Sequence, residues 1–306
     1  MQKKIPKVTI SLLVYNGEKF LQKRIESFLN QTFQDFELII SDNCSEDNTQ
    51  SICEKYAQKD ERIQYVRQKQ NIGMFANHIF VSLAAKGELL ALAAHDDIWT
   101  DDYLEKHVKM LENNKSFIGS MNRIKNYGPY GNQFQIKSKD SKFMVFYKKL
   151  RRYFRSHDFT NSIIGETYEE RARAFLRGSS IRPIFGVYRT REYQKVMNEL
   201  SFVSNWDYVI VFKLLRYGNI GLIDEILLQY YTGSSGAQGI IKYYKTGIIK
   251  FHSIFFPNLD LTKFCAKSFG IKFFIKNLDY FLFLNLSGFL PVILSITRSI
   301  KSKIMD

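Results

Sequence analysis

The chain has 306 residues, of which 45% are hydrophobic and 24% charged, and its formal net charge is +14. This composition excludes general disorder, and the length allows one large domain or one domain with an appendage. The basic balance favours an anionic partner such as a nucleotide, a nucleic acid or a membrane surface.

Strands and helices alternate along the first 120 residues. Apolar runs predict strands at 8–15, 36–40, 63–66 and 89–94. Apolar residues at helical spacing predict helices at 20–29, from 49 onward, at 74–85 and from Thr100. The opening MQKKIPKVTISLLVY predicts a strand and not a signal peptide. This alternation is typical of an α/β protein with a parallel sheet covered on both faces.

The pattern loosens after residue 118. It predicts helices at 168–176 and 206–216 and strands at 184–188, 220–223 and 226–231. Basic residues interleaved with aromatic ones crowd the stretch 123–155, and the last 70 residues are aromatic, apolar and basic. The cysteines Cys44, Cys53 and Cys265 have neither metal-ligand nor disulfide spacing, so we expect buried thiols in a reducing compartment.

Two adjacent acids follow the fourth predicted strand, in the stretch ALAAHDDIWTDDYLEK. Asp96 and Asp97 repel each other, and both resist transfer out of water. A bound Mg²⁺ or Mn²⁺ would offset that repulsion and would neutralise a diphosphate leaving group. The alternative is that one of the two acids caps the following turn.

Other polar residues stand at strand ends or at the start of the third predicted helix. Ligands of parallel sheets collect at the carboxyl ends of the strands. There, Asp42 could accept hydrogen bonds from a base or ribose, and amide groups near a helix start could bind phosphate or sugar. Turn and cap roles remain open for all of them. The candidates are Tyr15, Asn16, Asp42, Asn71, Gly73, Asn77 and Asp96.

Several motifs in one order carry a family resemblance. Residues 8–56 resemble the opening of family 2 glycosyltransferases, with a strand ending in Tyr-Asn, a helix ending in Gln-Thr, and an Asp followed by Ser-x-Asp-x-Thr. The resemblance is strong over residues 6–112 and weaker to about residue 235. The matching positions are Gln31, Thr32, Glu37, Asp42, Ser45, Asp47, Thr49, Asn71, Gly73, Asn77, Gly87, Asp96, Asp97, Ile98, Trp99, Tyr103 and Leu104.

The resemblance implies a GT-A fold, a Rossmann-like and mostly parallel sheet sandwiched by helices. It implies a nucleotide-binding half at 1–120 and an acceptor half at 121–235. Residues 236–306 lie beyond the resemblance, and we expect them to form a helical C-terminal extension. It also implies inverting transfer from a UDP-, dTDP- or GDP-sugar with Mg²⁺ or Mn²⁺. By this resemblance Tyr15, Asn16, Glu18 and Asp42 border the nucleotide, and Asp96 faces the metal.

The sequence departs from the family pattern at three places. Ala94 stands where the first acid of the Asp-x-Asp motif is expected, which leaves His95 as a spacer between it and Asp96. Asn205 stands where the catalytic base is usually found, so we predict Asp207 as the base that takes the acceptor proton. The alternative for Asp207 is an acid of the first helical turn, favoured by the helix dipole. Tyr231 replaces a common histidine.

The C-terminal region contains the apolar segment YFLFLNLSGFLPVILSI at 280–296, with lysines before and after it. Asn, Ser, Gly and Pro interrupt this segment, so we predict that it lies in an anionic membrane interface instead of spanning the bilayer. The alternative is a helical pair packed onto the catalytic domain. We expect a cytoplasmic protein bound peripherally to the inner face of the cell membrane.

These patterns favour an inverting glycosyltransferase of cell-surface polysaccharide or glycan assembly, with a glycan or lipid-linked acceptor. Ala94 and Asn205 leave an alternative open, a relative that binds nucleotide sugars but is catalytically impaired. A third hypothesis is that the basic stretch 123–155 binds nucleic acid. No RNA- or DNA-binding motif accompanies it, and we expect no nucleic-acid partner.

Overall fold

A computed structural model describes most of the chain. It covers residues 4–129, 161–178, 182–203, 205–233 and 258–286, with residues 142, 144–146, 148 and 149. Most of the basic stretch 123–155 and the second part of the apolar segment, 287–296, lie outside the described residues. The boundary predicted at residue 235 also lies outside them and stays a prediction.

The first half of the chain alternates strand and helix as predicted. Two of its strands, Ile98–Trp99 and Phe117–Tyr127, were not predicted, and the second begins where the apolar pattern loosens. The elements are β1 Val8–Val14, α1 Glu18–Leu29, β2 Phe36–Asp42, α2 Thr49–Ala57, β3 Ile63–Arg67, α3 Met74–Ala84, β4 Leu89–Ala94, β5 Ile98–Trp99, α4 Tyr103–Asn113 and β6 Phe117–Tyr127.

The second half differs more from the prediction. Part of the strand predicted at 184–188 is a 3-10 helix, Arg182–Phe185, and the two strands predicted at 220–223 and 226–231 are one strand. The helix Thr190–Asn198 was not predicted. The elements are α5 Tyr168–Gly178, β7 Val187–Arg189, α6 Thr190–Asn198, α7 Trp206–Leu214, β8 Asn219–Tyr231, α8 Leu259–Lys276 and α9 278–286.

The strands form one eight-stranded sheet in the order β3-β2-β1-β4-β7-β6-β8-β5. Strands β3, β2, β1 and β4 are parallel, β6 is parallel to β8, and β7 and β5 run antiparallel to their neighbours. The predicted, mostly parallel α/β sheet is therefore confirmed. In its register Val14 pairs with Asp42 and Leu13 with Ala94, so β1, β2 and β4 end at one edge.

Alternate side chains of the parallel strands enter two hydrophobic layers. On one face the even-numbered residues of β1 and β2 pack with α1, α2 and α4, around Phe28 and Tyr103. On the other face Leu90 and Leu92 of β4 pack with α5, α6 and α7, around Phe175 and Phe212. A strand buried on both faces reads as a continuous apolar run, which is why β1, β2 and β4 were predictable.

The C-terminal helices pack against the second of these layers. Leu261 and Cys265 of α8, and Tyr280, Phe281 and Leu284 of α9, are buried in the same cluster as α5 and α7. The first part of the segment predicted to lie in a membrane interface is therefore packed on the domain, as in the alternative interpretation. No helix within the described ranges is long and apolar enough to cross a membrane.

This packing predicts that substitutions at two neighbouring residues of α9 change the free energy of unfolding by very different amounts. Phe281→Ala should lower the free energy of unfolding by about 3–5 kcal/mol, because its ring is 1% exposed and the substitution leaves a cavity. Leu282→Ala, at a side chain that is 54% exposed, is the matched control and should change it by less than about 0.5 kcal/mol. Urea denaturation measures both. Equal effects would show that α9 is not docked.

Candidate active site

The loops that follow β1 and β2 are tied together by hydrogen bonds. Asn16 adopts a left-handed conformation with φ 50°, its N–H donates to Ser45 Oγ at 2.9 Å, and its Oδ1 accepts from Glu46 N–H at 2.9 Å. Glu18 Oε2 accepts from the backbone and the side chain of Asn48, at 3.1 and 2.8 Å. The side chains of Asn16 and Glu18 therefore hold the loop, while Tyr15 is 40% exposed beside them.

Asp42 is fully buried at the end of β2. Its Oδ1 accepts from the N–H and the hydroxyl of Ser45, at 2.9 and 2.5 Å. Its Oδ2 accepts from the Tyr65 hydroxyl at 2.8 Å and lies 3.7 Å from Arg67 Nε. Burial, followed by this bond to Asp42, raises the pKa of Tyr65. Protein groups thus compensate the desolvation of the Asp42 carboxylate.

The loop before α3 is fixed to the same edge of the sheet. Asn71 Oδ1 accepts from Asn43 Nδ2 and from Gly73 N–H, both at 2.9 Å. Gly73 has φ 82°, a conformation that favours glycine, and immediately precedes α3. Asn77 is buried, and its side chain exchanges hydrogen bonds with Ser41 at the end of β2. Asn71, Gly73 and Asn77 thus lie together with the β2 terminus.

Asp96 and Asp97 form the turn after β4, and both are almost completely buried. Asp97 Oδ1 accepts from the N–H of Tyr231 at 3.0 Å, while its Oδ2 is buried without a hydrogen-bond partner in the described part of the chain. The hydroxyl of Tyr127 donates to the backbone carbonyl of Asp96. Burial, followed by the charge of Asp96, raises the pKa of Asp97 to about 7.

A buried arginine lies near this acidic pair. Arg24 on α1 is 6% exposed, and its Nε has no hydrogen-bond partner within the described residues. Burial lowers the pKa of Arg24, opposed by the electrostatic influence of Tyr127, Asp97 and Asp96. Arg24 is not among the site residues predicted from the sequence, although the sequence contains a signal for it. It occupies the apolar stripe of a predicted helix, between Leu21, Ile25 and Phe28.

Asp207 lies in the first turn of α7. It is half-buried, and its Oδ1 accepts from the N–H of Tyr208 at 2.9 Å. Burial raises the pKa of Asp207 to about 6, with the backbone hydrogen bonds acting against the shift. Asn205, the residue at the usual position of the base, donates from Nδ2 to Asn258 Oδ1 at 3.2 Å, and its own Oδ1 is buried without a partner in the described ranges.

The pKa of Tyr230 is influenced both by the acidic pair and by the predicted base. Burial raises its pKa to about 12, and the charges of Asp97, Asp96 and Asp207 contribute in that order. The three carboxylates therefore act on one phenol, which is half-buried near the end of β8. Beside Asp207, the ring of Trp206 lies 5.7 Å from that of Phe75, which in turn lies 5.3 Å from Phe202.

The acidic pair is compatible with a divalent cation that also binds substrate phosphates. Among the described residues, no group of three or more His, Cys, Asp or Glu could hold a metal by itself. Mg²⁺ is commonly bound through one or two carboxylates, with phosphates supplying further ligands. Asp96, next to the unpartnered Oδ2 of Asp97, offers such a donor set. This donor set does not require an acid at position 94, where the chain has Ala in place of the first acid of the Asp-x-Asp motif.

Comparison with known proteins gives a consistent picture. Residues 9–171, more than half of the chain, match the sequence model of the family "Glycosyl transferase family 2". An uncharacterized glycosyltransferase of Methanocaldococcus jannaschii is 26% identical, over 97% of this chain and 94% of that protein. A putative teichuronic acid biosynthesis glycosyltransferase of Bacillus subtilis, TuaG, is 33% identical, but only over 37% of this chain and 45% of that protein.

Two solved structures share the fold. S. aureus TarS 1-349 in complex with UDP has a TM-score of 0.52 at 18% identity, covering 74% of this chain and 60% of that one. The mannosyltransferase PcManGT of Pyrobaculum calidifontis, in complex with GDP-Man and Mn²⁺, has a TM-score of 0.56 at 14% identity, covering 97% and 76%. These likenesses confirm the GT-A fold predicted from the sequence.

The raised pKa of Asp97 predicts a pH-dependent cost to stability. A carboxyl group whose folded pKa exceeds its unfolded value binds more protons when folded, so stability falls as the pH rises from about 4 to about 7. In the absence of metal, Asp97→Asn should therefore raise the free energy of unfolding at pH 8 by up to about 4 kcal/mol.

The gain should shrink as the pH approaches 4 and vanish below about 3, where the carboxyl group is protonated in both the folded and the unfolded state. Denaturation across this pH range measures it. The matched control is Asp101→Asn, at an exposed position of the same segment, with an expected change below about 0.5 kcal/mol. A pH-independent gain for Asp97→Asn would contradict the explanation.

Proposed function

The chain belongs to glycosyl transferase family 2, and we propose that it moves a sugar from a nucleoside-diphosphate donor to a hydroxyl acceptor with inversion at the anomeric carbon. The observation that carries this proposal is the gathering of the Asp42-anchored loops and the Asp96–Asp97 turn at one edge of three parallel strands. Such edges are where α/β sheets bind their ligands.

Three features support a nucleotide-sugar donor. Hydrogen bonds within the loop before α3 and between the loops after β1 and β2 fix these loops at this edge, next to the exposed ring of Tyr15. The net charge of +14 suits a pyrophosphate. TarS was solved with UDP and with UDP-GlcNAc, and PcManGT with GDP-Man and Mn²⁺. We propose Tyr15, Asn16, Glu18, Asp42, Asn71, Gly73 and Asn77 as the nucleotide border.

We propose Asp96 as the residue that holds the divalent metal. A bound Mg²⁺ or Mn²⁺ would act as a Lewis acid toward the leaving diphosphate. Asp97 supports the turn by accepting the Tyr231 N–H, so the backbone of β8 fixes the position of the acidic pair. Tyr127 does the same through the carbonyl of Asp96.

We propose Asp207 as the general base. Inverting transfer needs a carboxylate near the acceptor hydroxyl, and a base is most effective when its pKa lies near the working pH. The half-buried Asp207 has a pKa of about 6, so it is ionised at neutral pH and remains basic enough to accept a proton. Its electrostatic influence on Tyr230, shared with Asp96 and Asp97, supports a common site for the two functions.

The acceptor is proposed as a sugar hydroxyl of a cell-surface polysaccharide or a lipid-linked glycan, at the cytoplasmic face of the membrane. The partly exposed rings of Phe75, Phe202 and Trp206 support this class, since carbohydrate sites need apolar surface beside the reacting group. The relative TuaG, a putative teichuronic acid biosynthesis glycosyltransferase, supports it independently.

The metal role of Asp96 predicts a specific loss of donor binding. Thermal unfolding with a panel of UDP-, GDP- and dTDP-sugars, with and without Mn²⁺, should identify a donor that raises Tm, because a bound ligand stabilises the folded state. Asp96→Asn should lose the Mn²⁺-dependent part of that shift and nearly all transfer, while Asp101→Asn keeps both. Full transfer by Asp96→Asn would remove the proposed role. If a donor raises the Tm of the unsubstituted protein but no transfer is detected, the alternative of a catalytically impaired, nucleotide-sugar-binding relative is favoured.

The base role of Asp207 predicts a pH-dependent rate. In the unsubstituted protein kcat/KM should fall as the pH drops below about 6, because the protonated carboxyl cannot accept the acceptor proton. Asp207→Asn should lower kcat by about a hundredfold or more and should abolish this limb, with the donor-induced Tm shift unchanged. Asn205→Asp provides a comparison, because it places a carboxylate at the position where the family usually has its catalytic base. If Asp207→Asn keeps the wild-type profile, the base is another residue.

A further inference from the structure

We propose that α8 and α9 carry a docking surface for an anionic phospholipid bilayer. The surface, called here the outer stripe, consists of large apolar side chains that are exposed to solvent. They are Ile271 (67% exposed), Ile275 (63%), Leu278 (40%), Leu282 (54%) and Leu286 (67%).

The outer stripe lies on the side of these helices that faces away from the domain. Phe273 of α8 and Tyr280, Phe281 and Leu284 of α9 are buried in the core cluster beneath them. The stripe residues alternate with these buried ones at intervals of four, three, four and four positions. A break at Asn277 separates the two helices, but within each helix the stripe residues are four positions apart, Ile271 and Ile275 on α8 and Leu278, Leu282 and Leu286 on α9, which places them on one face of each helix. The helices are therefore apolar on two sides, and only the inner side is covered in the described part of the chain.

Exposed lysines accompany the outer stripe. Lys272 and Lys276 lie next to it in the sequence, and Lys267 and Lys263 precede Ile271 by four and eight positions, on the part of α8 before its non-helical residue Gly270. None of the four makes an ion pair with a described residue. The exposed acid among them, Asp279, already lies 3.6 Å from Arg177. The surface thus combines apolar area with uncompensated positive charge.

This combination favours an anionic lipid surface over a second copy of this chain as the partner. A helix lying in the membrane interface buries Leu and Ile among the acyl chains, while Lys reaches the anionic headgroups. A second copy of this chain would instead bring like-charged lysines together, and the chain already carries a net charge of +14. Leu282 and Leu286 of the stripe belong to the segment predicted to lie in a membrane interface, whereas Tyr280, Phe281, Phe283 and Leu284 of that segment are buried.

The test measures vesicle binding by the full chain, without donor or acceptor, so it does not depend on the proposed transfer reaction. The probes are vesicles of phosphatidylcholine alone and of phosphatidylcholine mixed with phosphatidylglycerol. We expect cosedimentation with the mixed vesicles, weakened by salt. The triple variant Ile271→Ser/Ile275→Ser/Leu282→Ser should bind at least tenfold more weakly. The double variant Lys272→Gln/Lys276→Gln should lose about fivefold per lysine.

A matched control removes the same kind of side chain elsewhere. Ile5, Ile164 and Ile226 are 67, 58 and 51% exposed, and their replacement by Ser should leave vesicle binding unchanged. Thermal unfolding confirms that each variant is folded. The proposal is overturned if the unsubstituted chain ignores the mixed vesicles, or if the triple variant binds them as tightly. It is also overturned if the chain self-associates without lipid and the triple variant is monomeric.

Discussion

Carboxylates buried at the carboxyl ends of β2 and β4 impose the constraint on which the rest of this site depends. A buried charge is costly unless hydrogen bonds or opposite charges compensate it. Asp42 is compensated, since Ser45, Tyr65 and Arg67 surround both of its oxygens. The same bonds fix the loop that Asn16 and Glu18 tie to β1, so satisfying one carboxylate shapes the loops proposed to border the nucleotide.

Asp97 is compensated only in part. One oxygen accepts the Tyr231 N–H, the other has no partner in the described ranges, and Asp96 adds repulsion. Arg24 supplies positive charge from α1, but it is itself desolvated and lowers the pKa of Asp97 only as the smallest of four influences. The fold thus maintains an acidic turn at a cost to stability. Such a cost is expected where an acidic pair serves binding or catalysis more than folding.

The parts of the structure that a sequence can predict follow from periodicity. Strands β1, β2 and β4 are buried on both faces and read as apolar runs, whereas β6 runs from the half-buried Phe117 to Tyr127 with Lys125 and Asn126 exposed. The site follows the same division. Asp42 and Asp96 stand directly at strand ends, and Arg24 is marked by its place in the apolar stripe of a helix. The contribution of Tyr230 depends on which elements the sheet brings together, and no local pattern encodes that.

The C-terminal helices are joined to the proposed acceptor side of the site and not only to the core. Asn205, two residues before the proposed base, donates to Asn258 at the start of α8. Asn258 in turn donates to the carbonyl of Leu284 in α9, at 2.7 Å. Two successive hydrogen bonds therefore connect the first turn of α7 with the helices that carry the outer stripe. If that stripe rests on a bilayer, the same connection fixes how the acceptor side is held relative to the lipid surface, where a lipid-linked acceptor would be presented.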